Sequence, residues 1–161
     1  MRIKTIKAIV EDIRRIDGGT AVNPSMLHSL AKNKKLVVHT RGNRLVCDAD
    51  TLPTQLNQLF GLTGNTEMPH IRSIHNAFLY LREFNPELGI SEEQMRRLIG
   101  IEVLPHIRVG NRAYVALESF EAPYNECLLC DDYRDIEALM LEKIVNEQLA
   151  QSLARRNKKK K

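Results

Sequence analysis

Near its start the chain sets apolar residues at helical spacing: Ile6, Ile9, Ile13 and Ile16 stand three, four and three positions apart and so share one helix face. A helix is predicted from about Thr5 to Ile16, stopped by Asp17-Gly18-Gly19, where paired glycines favour a turn. Asn23-Pro24-Ser25 reads as the opening of a second helix reaching about Lys32, because Asn caps a helix and Pro suits its first turn. The β-rich run Leu36-Val37-Val38-His39-Thr40 then reaches Gly42-Asn43 and returns as Arg44-Leu45-Val46-Cys47. Gly and Asn tolerate the positive φ of a two-residue hairpin turn, so a β-hairpin is predicted, with a short helix after it over about Thr51 to Phe60.

The pattern then repeats. Ala21 to Leu52 aligns on Gly89 to Phe120 without a gap, setting Leu30, Leu36, Gly42, Asn43 and Arg44 on Leu98, Leu104, Gly110, Asn111 and Arg112. Upstream, a three-residue offset sets Ile6, Ile9, Ile13 and Ile16 on Ile71, Ile74, Phe78 and Leu81. Ser91-Glu92-Glu93-Gln94 has capping-box spacing and opens the equivalent of the helix at Asn23 by a different chemistry. Val103 to Val109, Gly110-Asn111 and Arg112 to Val115 make a second hairpin, with a short helix around Glu118. The expected fold is α+β: two tandem modules of helix, turn, helix and hairpin at residues 1–60 and 70–126, joined by a linker at 61–69. Within 127–154 a long helix is expected from Tyr133 to Ala154, with Ile136, Met140 and Ile144 on one ladder and Leu141, Val145, Leu149 and Leu153 on the next. So wide an apolar face has to be buried, against the modules or against a second copy in a homodimer. The basic tail at 155–161 is expected to be disordered.

Composition adds limits. With 161 residues, 43% hydrophobic and 27% charged, the make-up is that of an ordinary globular protein, and modules of about 55 residues sit near the lower limit for folding alone. The net charge of +4 is unevenly spread: residues 1–46 hold ten Lys/Arg against three acids, 70–120 six against six, 121–154 two against eight, and 155–161 six cations. A concentrated positive field suits a polyanion such as nucleic acid. No apolar run is long enough for a membrane span, and Met1-Arg2-Ile3-Lys4 lacks the apolar core of a signal peptide, so a cytoplasmic protein without a membrane partner is expected. Three cysteines fit a reducing compartment. Cys127-Leu128-Leu129-Cys130 has a zinc-like spacing, but Cys47 lies far off and His28, His39, His70, His75 and His106 share no ligand spacing, so neither metal nor other cofactor is expected. The chain has no phosphate-binding glycine loop, nucleophile elbow or His-Glu-x-x-His motif, and Asp48/Asp50 and Asp131/Asp132 lie beside turns and helix starts; an enzyme is not expected.

Helix, turn, capped helix and a hairpin with a Gly-Asn-Arg tip form the layout of a winged helix-turn-helix. The stretch Gly89-Ile90-Ser91 through Met95-Arg96-Arg97-Leu98-Ile99 to Leu104-Pro105-His106-Ile107-Arg108-Val109-Gly110-Asn111-Arg112 closely resembles excisionases and the related MerR-like DNA-binding domains, small proteins common on mobile genetic elements. The resemblance covers Ile71 to Phe120 well and Ile6 to Leu52 more weakly. It implies double-stranded DNA as partner, a recognition helix in the major groove, and a wing on an adjacent groove or the backbone.

Carried over by position, the second module would offer Ser91, Gln94, Arg96 and Arg97 from its helix and Arg108, Asn111 and Arg112 from its wing. The first would offer Asn23, Met26, His28 and Ser29, then Thr40, Asn43 and Arg44, with Lys32 and Arg41 adding charge. Arg and Gln can read guanine and adenine edges, which fits Gln94, Arg96 and Arg97, whereas Arg44 and Arg112 suit phosphates. Two departures stand out. Family members often place Gly two residues before the Leu-Pro element, where this chain has Glu102 and, in the first module, Lys34; and Glu92 and Glu93 suit a helix dipole but repel phosphates.

An extended linker of nine residues reaches about 30 Å, so two modules could occupy neighbouring duplex turns about 34 Å apart. The implied role is non-catalytic DNA binding, excisionase-like beside a recombinase or as a transcriptional regulator of a mobile element. The competing expectation is a protein-interaction adaptor built from helix-turn-helix-derived modules, with the C-terminal helix as partner or dimer interface.

Overall fold

The computed structural model describes residues 1–84, 86, 91–100, 102, 104–120 and 133–159. It is a mixed α+β protein with two small antiparallel sheets. The first segment runs β1 (Ile3–Thr5), α1 (Ile6–Ile16), α2 (Pro24–Lys32), β2 (His39–Arg41), β3 (Arg44–Asp48) and α3 (Leu52–Leu59). The second runs β4 (Ile71–Ser73), α4 (Ile74–Phe84), α5 (Glu92–Gly100), β5 (Ile107–Val109), β6 (Arg112–Ala116) and a 3₁₀ turn at Leu117–Phe120. From β4 to β6, every element begins and ends 68 positions after its counterpart in β1 to β3. The sheets are ordered alike, β1-β3-β2 and β4-β6-β5.

This constant spacing corrects the upstream alignment. Ile71 does not match Ile6: it lies on β4 and matches Ile3, while Ile6, Ile9 and Ile13 match Ile74, Ala77 and Leu81, all six of them buried. The three-residue strands β1 and β4 escape a reading of hydrophobic period, because three residues show no alternation. Each exists by pairing along the strand that follows the hairpin turn, Thr5 opposite Val46 and Ser73 opposite Tyr114. Thr5 is therefore the cap of α1 rather than its first residue, and its hydroxyl accepts the Ala8 N–H at 3.3 Å.

The hairpins are shorter than the β-rich runs suggested. Strand pairing begins only at His39 and Ile107, because each preceding helix ends in a left-handed turn, Lys34 with φ 57° and Glu102 with φ 60°. The Lys35 N–H reaches back to the Leu30 carbonyl and the Lys34 N–H to that of Ala31, the Schellman closure that usually has glycine at the left-handed position. Leu36 and Leu104 then drop into the core instead of pairing. At the hairpin tips only the glycines, Gly42 and Gly110, take positive φ, as a turn with Gly in its first central position requires.

The two segments pack directly on one another. Ile71, Ile107, Tyr114 and Ala116 of the second sheet join the same core as Ile9, Ile13, Met26 and Leu30 of the first segment. The other face of that sheet, with Val115, covers Ile74, Leu81, Met95 and Leu98. Arg72 of β4 reaches Asp17 at the end of α1 with two hydrogen bonds of 2.6 and 2.7 Å, both side chains being largely buried, and the Ala21 N–H bonds the Ile71 carbonyl at 2.8 Å. Gly19 leaves room for this contact, since a Cβ there would stand 3.0 Å from the Arg72 guanidinium.

Residues 61–69 are consequently no extended tether. Leu62 and Pro69 are buried, and the Asn57 amide donates to the carbonyls of Asn65 and Glu67 at 3.0 and 2.8 Å. Residues held this way do not spread the modules over successive turns of a duplex.

The last helix, α6 (Tyr133–Lys159), passes the expected end at Ala154 and includes much of the basic run expected to be disordered. Lys and Arg are good helix formers, and cations suit a helix C-terminus. Val145, Leu149 and Leu153 are 51, 57 and 58% exposed, so these three residues do not pack on the rest of the chain. Cys127 and Cys130 lie outside the described residues, among which no cluster of metal-ligating side chains occurs. Nor, among them, is any helix long and apolar enough to cross a membrane.

Candidate nucleic-acid interface

Two adjoining clefts gather part of the expected set of side chains. In the second segment, α5 and the β5–β6 hairpin enclose about 400 Å³ lined by His75, Arg96, Arg108, Asn111, Arg112 and Tyr114, among others. The local sequence dictates this gathering. Met95, Leu98 and Ile99 turn into the core, which sends Arg96 and Arg97 outward, and the strand alternation that buries Ile107 exposes Arg108. Arg112 and Tyr114 also line the neighbouring cleft of about 430 Å³, whose other wall is Asn23, Pro24, Ser25 and Met26 at the start of α2. The first segment's second helix therefore begins against the second segment's hairpin.

The cations differ in their partners. Arg96 and Arg97 pair with Glu92 and Glu93 one turn earlier, at 2.8 and 2.7 Å. Glu92 also meets His75 Nδ1 at 3.0 Å, and its carboxyl is held below the ordinary range first by the hydrogen bond from His75 and then by that from Arg96. Arg108 and Arg112, like Lys32, Arg41 and Arg44, are exposed and have no acidic partner among the described residues.

Three expected residues serve the helices themselves. Asn23 accepts the Met26 N–H at 2.8 Å as the cap of α2. Ser91 and Gln94 complete a reciprocal capping box, the Ser91 hydroxyl accepting the Gln94 N–H at 3.2 Å and the Gln94 side chain accepting the Ser91 N–H at 2.6 Å. So occupied, Gln94 and Ser91 offer less to a base edge than free side chains would.

No family model, curated protein or solved structure matches the chain.

The clefts thus unite Arg96, Arg108, Asn111 and Arg112, with Asn23 across from Arg112. His28 and Lys32 sit on the exposed side of α2, and Arg41, Asn43 and Arg44 at the first hairpin tip, outside both clefts. Ser25, Ser73, His75 and Tyr114 are polar lining residues that the sequence pattern had not pointed to as contacts. Tyr114 had a signal available, as a lone phenol on a strand one position away from Val115, but which sheet face it occupied needed the neighbouring segment.

A further cleft of about 740 Å³ lies apart between α1, α3 and residues 67–70 and holds none of the expected site residues. Of its charged lining, Arg2 pairs with Asp50, Lys4 with Asp12 and Asp17 with Arg72.

Proposed function

We propose that the protein is a non-catalytic, double-stranded DNA-binding protein made of two winged helix-turn-helix modules, acting as an excisionase-like factor beside a recombinase or as a transcriptional regulator of a mobile element in the cytoplasm. The observation that carries this reading is the cleft between α5 and the β5–β6 hairpin. A helix and a wing there frame Arg96, Arg108, Asn111 and Arg112, two of whose guanidinium groups have no acidic partner among the described residues. Such guanidinium groups suit phosphates, and Arg96 beside them suits a base edge.

Binding of random and genomic duplexes to the full chain over a salt series tests the reading. Arg108→Ala and Arg112→Ala each lower the log–log salt slope by about 0.9 and weaken all sequences alike. Arg96→Ala flattens sequence preference by about 1–3 kcal/mol. Affinity indifferent to salt and to all three substitutions would sink the proposal.

The adaptor reading draws on the exposed ladder Val145, Leu149 and Leu153, which suits a protein partner or a homodimer through α6. Leu149→Asp then abolishes self-association or partner capture while leaving duplex affinity and its salt slope unchanged, and sedimentation separates the two.

A further inference from the structure

The cleft between the two segments has a chemistry that neither segment holds alone. Its floor is the first turn of α2, a helix with no acidic residue at its start. Pro24 has no N–H, the Met26 N–H is capped by Asn23, and the Leu27 N–H bonds the Asn23 carbonyl at 3.3 Å. The Ser25 N–H is left as the first-turn donor without a bonded partner, beside an exposed hydroxyl, at the positive end of the helix dipole.

From the opposite wall come Arg112 and Tyr114. Tyr114 is only 7% exposed, its ring joined to the core shared by both segments. Its hydroxyl has no hydrogen-bond partner among the described residues and is not among their fully enclosed polar atoms, and the residue lines both this cleft and the one beside α5. At the corresponding place α5 has Glu92 and Glu93 in its first turn, which would repel an anion.

We propose that this cleft binds a phosphate group: the Ser25 N–H and hydroxyl, the Tyr114 hydroxyl and the Arg112 guanidinium converge on it from two segments. The phosphate is a duplex backbone phosphodiester, in which case the site rests on the DNA-binding reading, or a free phosphate anion. Donors from a helix start together with a guanidinium are a suitable set for either.

The full chain, titrated with inorganic phosphate against chloride at constant ionic strength and followed by amide and tyrosine NMR, separates the sources when set beside random-sequence duplex binding. Ser25→Glu places an acid where α5 has Glu93, which favours the helix while opposing the anion, and Tyr114→Phe removes only the hydroxyl. Phosphate is expected to shift the Ser25 amide and Tyr114 resonances, and Ser25→Glu to abolish both shifts. Duplex affinity is expected to fall about tenfold in Ser25→Glu and about threefold in Tyr114→Phe. Phosphate shifts without any duplex binding would leave the site standing with a free anion as ligand and end the DNA reading. Unmoved resonances, with duplex affinity unchanged in both variants while Arg108→Ala still reduces the salt slope, would overturn the cleft and leave DNA binding intact.

Discussion

The outer faces of the two sheets carry different residues on the same backbone plan. In the second segment the face away from its own helices holds Ile71, Ile107, Tyr114 and Ala116, all buried against the first segment. The matching positions of the first segment are Ile3, His39, Val46 and Asp48, of which only Val46 is buried. One sheet is an inner layer and the other an outer one. A strand with both faces covered needs near-continuous apolar residues, and one with a wet face does not. The run Tyr114-Val115-Ala116 against Val46-Cys47-Asp48 is that rule written in sequence.

A second contrast concerns charge. The first segment holds the greater cationic excess, yet the second frames the cleft with three arginines, Arg96, Arg108 and Arg112, where the first has His28, Thr40 and Arg44. Total charge does not locate a field; the pairing and placement of individual side chains do.

Exchanging residues between the sheets should break the comparison most visibly. Ile107→His puts an imidazole into a covered face and is expected to cost about 3 kcal/mol by denaturant unfolding, whereas His39→Ile on the open face stays within about 0.5 kcal/mol. Equal effects would mean that both sheets are equally covered.

Next in size is the pair of cations at matching places on β1 and β4. Arg72 ties the segments together through Asp17, with side chains 12 and 11% exposed, while Lys4 pairs with Asp12 inside its own segment at 36 and 40%. Arg72→Ala is expected to cost about 2–3 kcal/mol and Lys4→Ala under about 1 kcal/mol. Burial alone would raise the Asp17 pKa, but the hydrogen bonds and charge of Arg72 outweigh it and hold it below its ordinary value. A carboxylate depressed in the folded state contributes stability above its unfolded pKa and loses it as pH falls through the folded one. Contact between the segments is therefore expected to weaken below about pH 4, with Asp17→Asn removing that dependence in acid titrations.

The smallest effect is one in which the segments should agree. Lys34→Gly and Glu102→Gly relieve the same left-handed turn and are each expected to stabilise by about 1 kcal/mol in thermal or denaturant unfolding. A gain in only one segment would show that the two turns are held differently.

Local physics made much of this legible in advance. The helices at Ile6, Pro24 and Glu92 announce themselves by period and by Asn23 and Ser91 before two of them, and the hairpin tips by Gly42 and Gly110. The capping role of Ser91 and Gln94 was visible in their spacing, although the same two residues also stood as expected DNA contacts. Less legible were the three-residue strands, which pair with residues far along the chain, and the fold of residues 61–69, which is tied back to the Asn57 side chain.

By itself the sequence determined which stretches become helix or hairpin and where they stop, because caps, glycine turns and apolar period act over a few residues. Only the tertiary structure decided that one sheet lies between the segments, that Asp17 meets Arg72 and that Ser25 faces Tyr114 and Arg112. These juxtapositions depend on which apolar surfaces exclude water together, and that is a property of the whole folded chain rather than of any stretch within it.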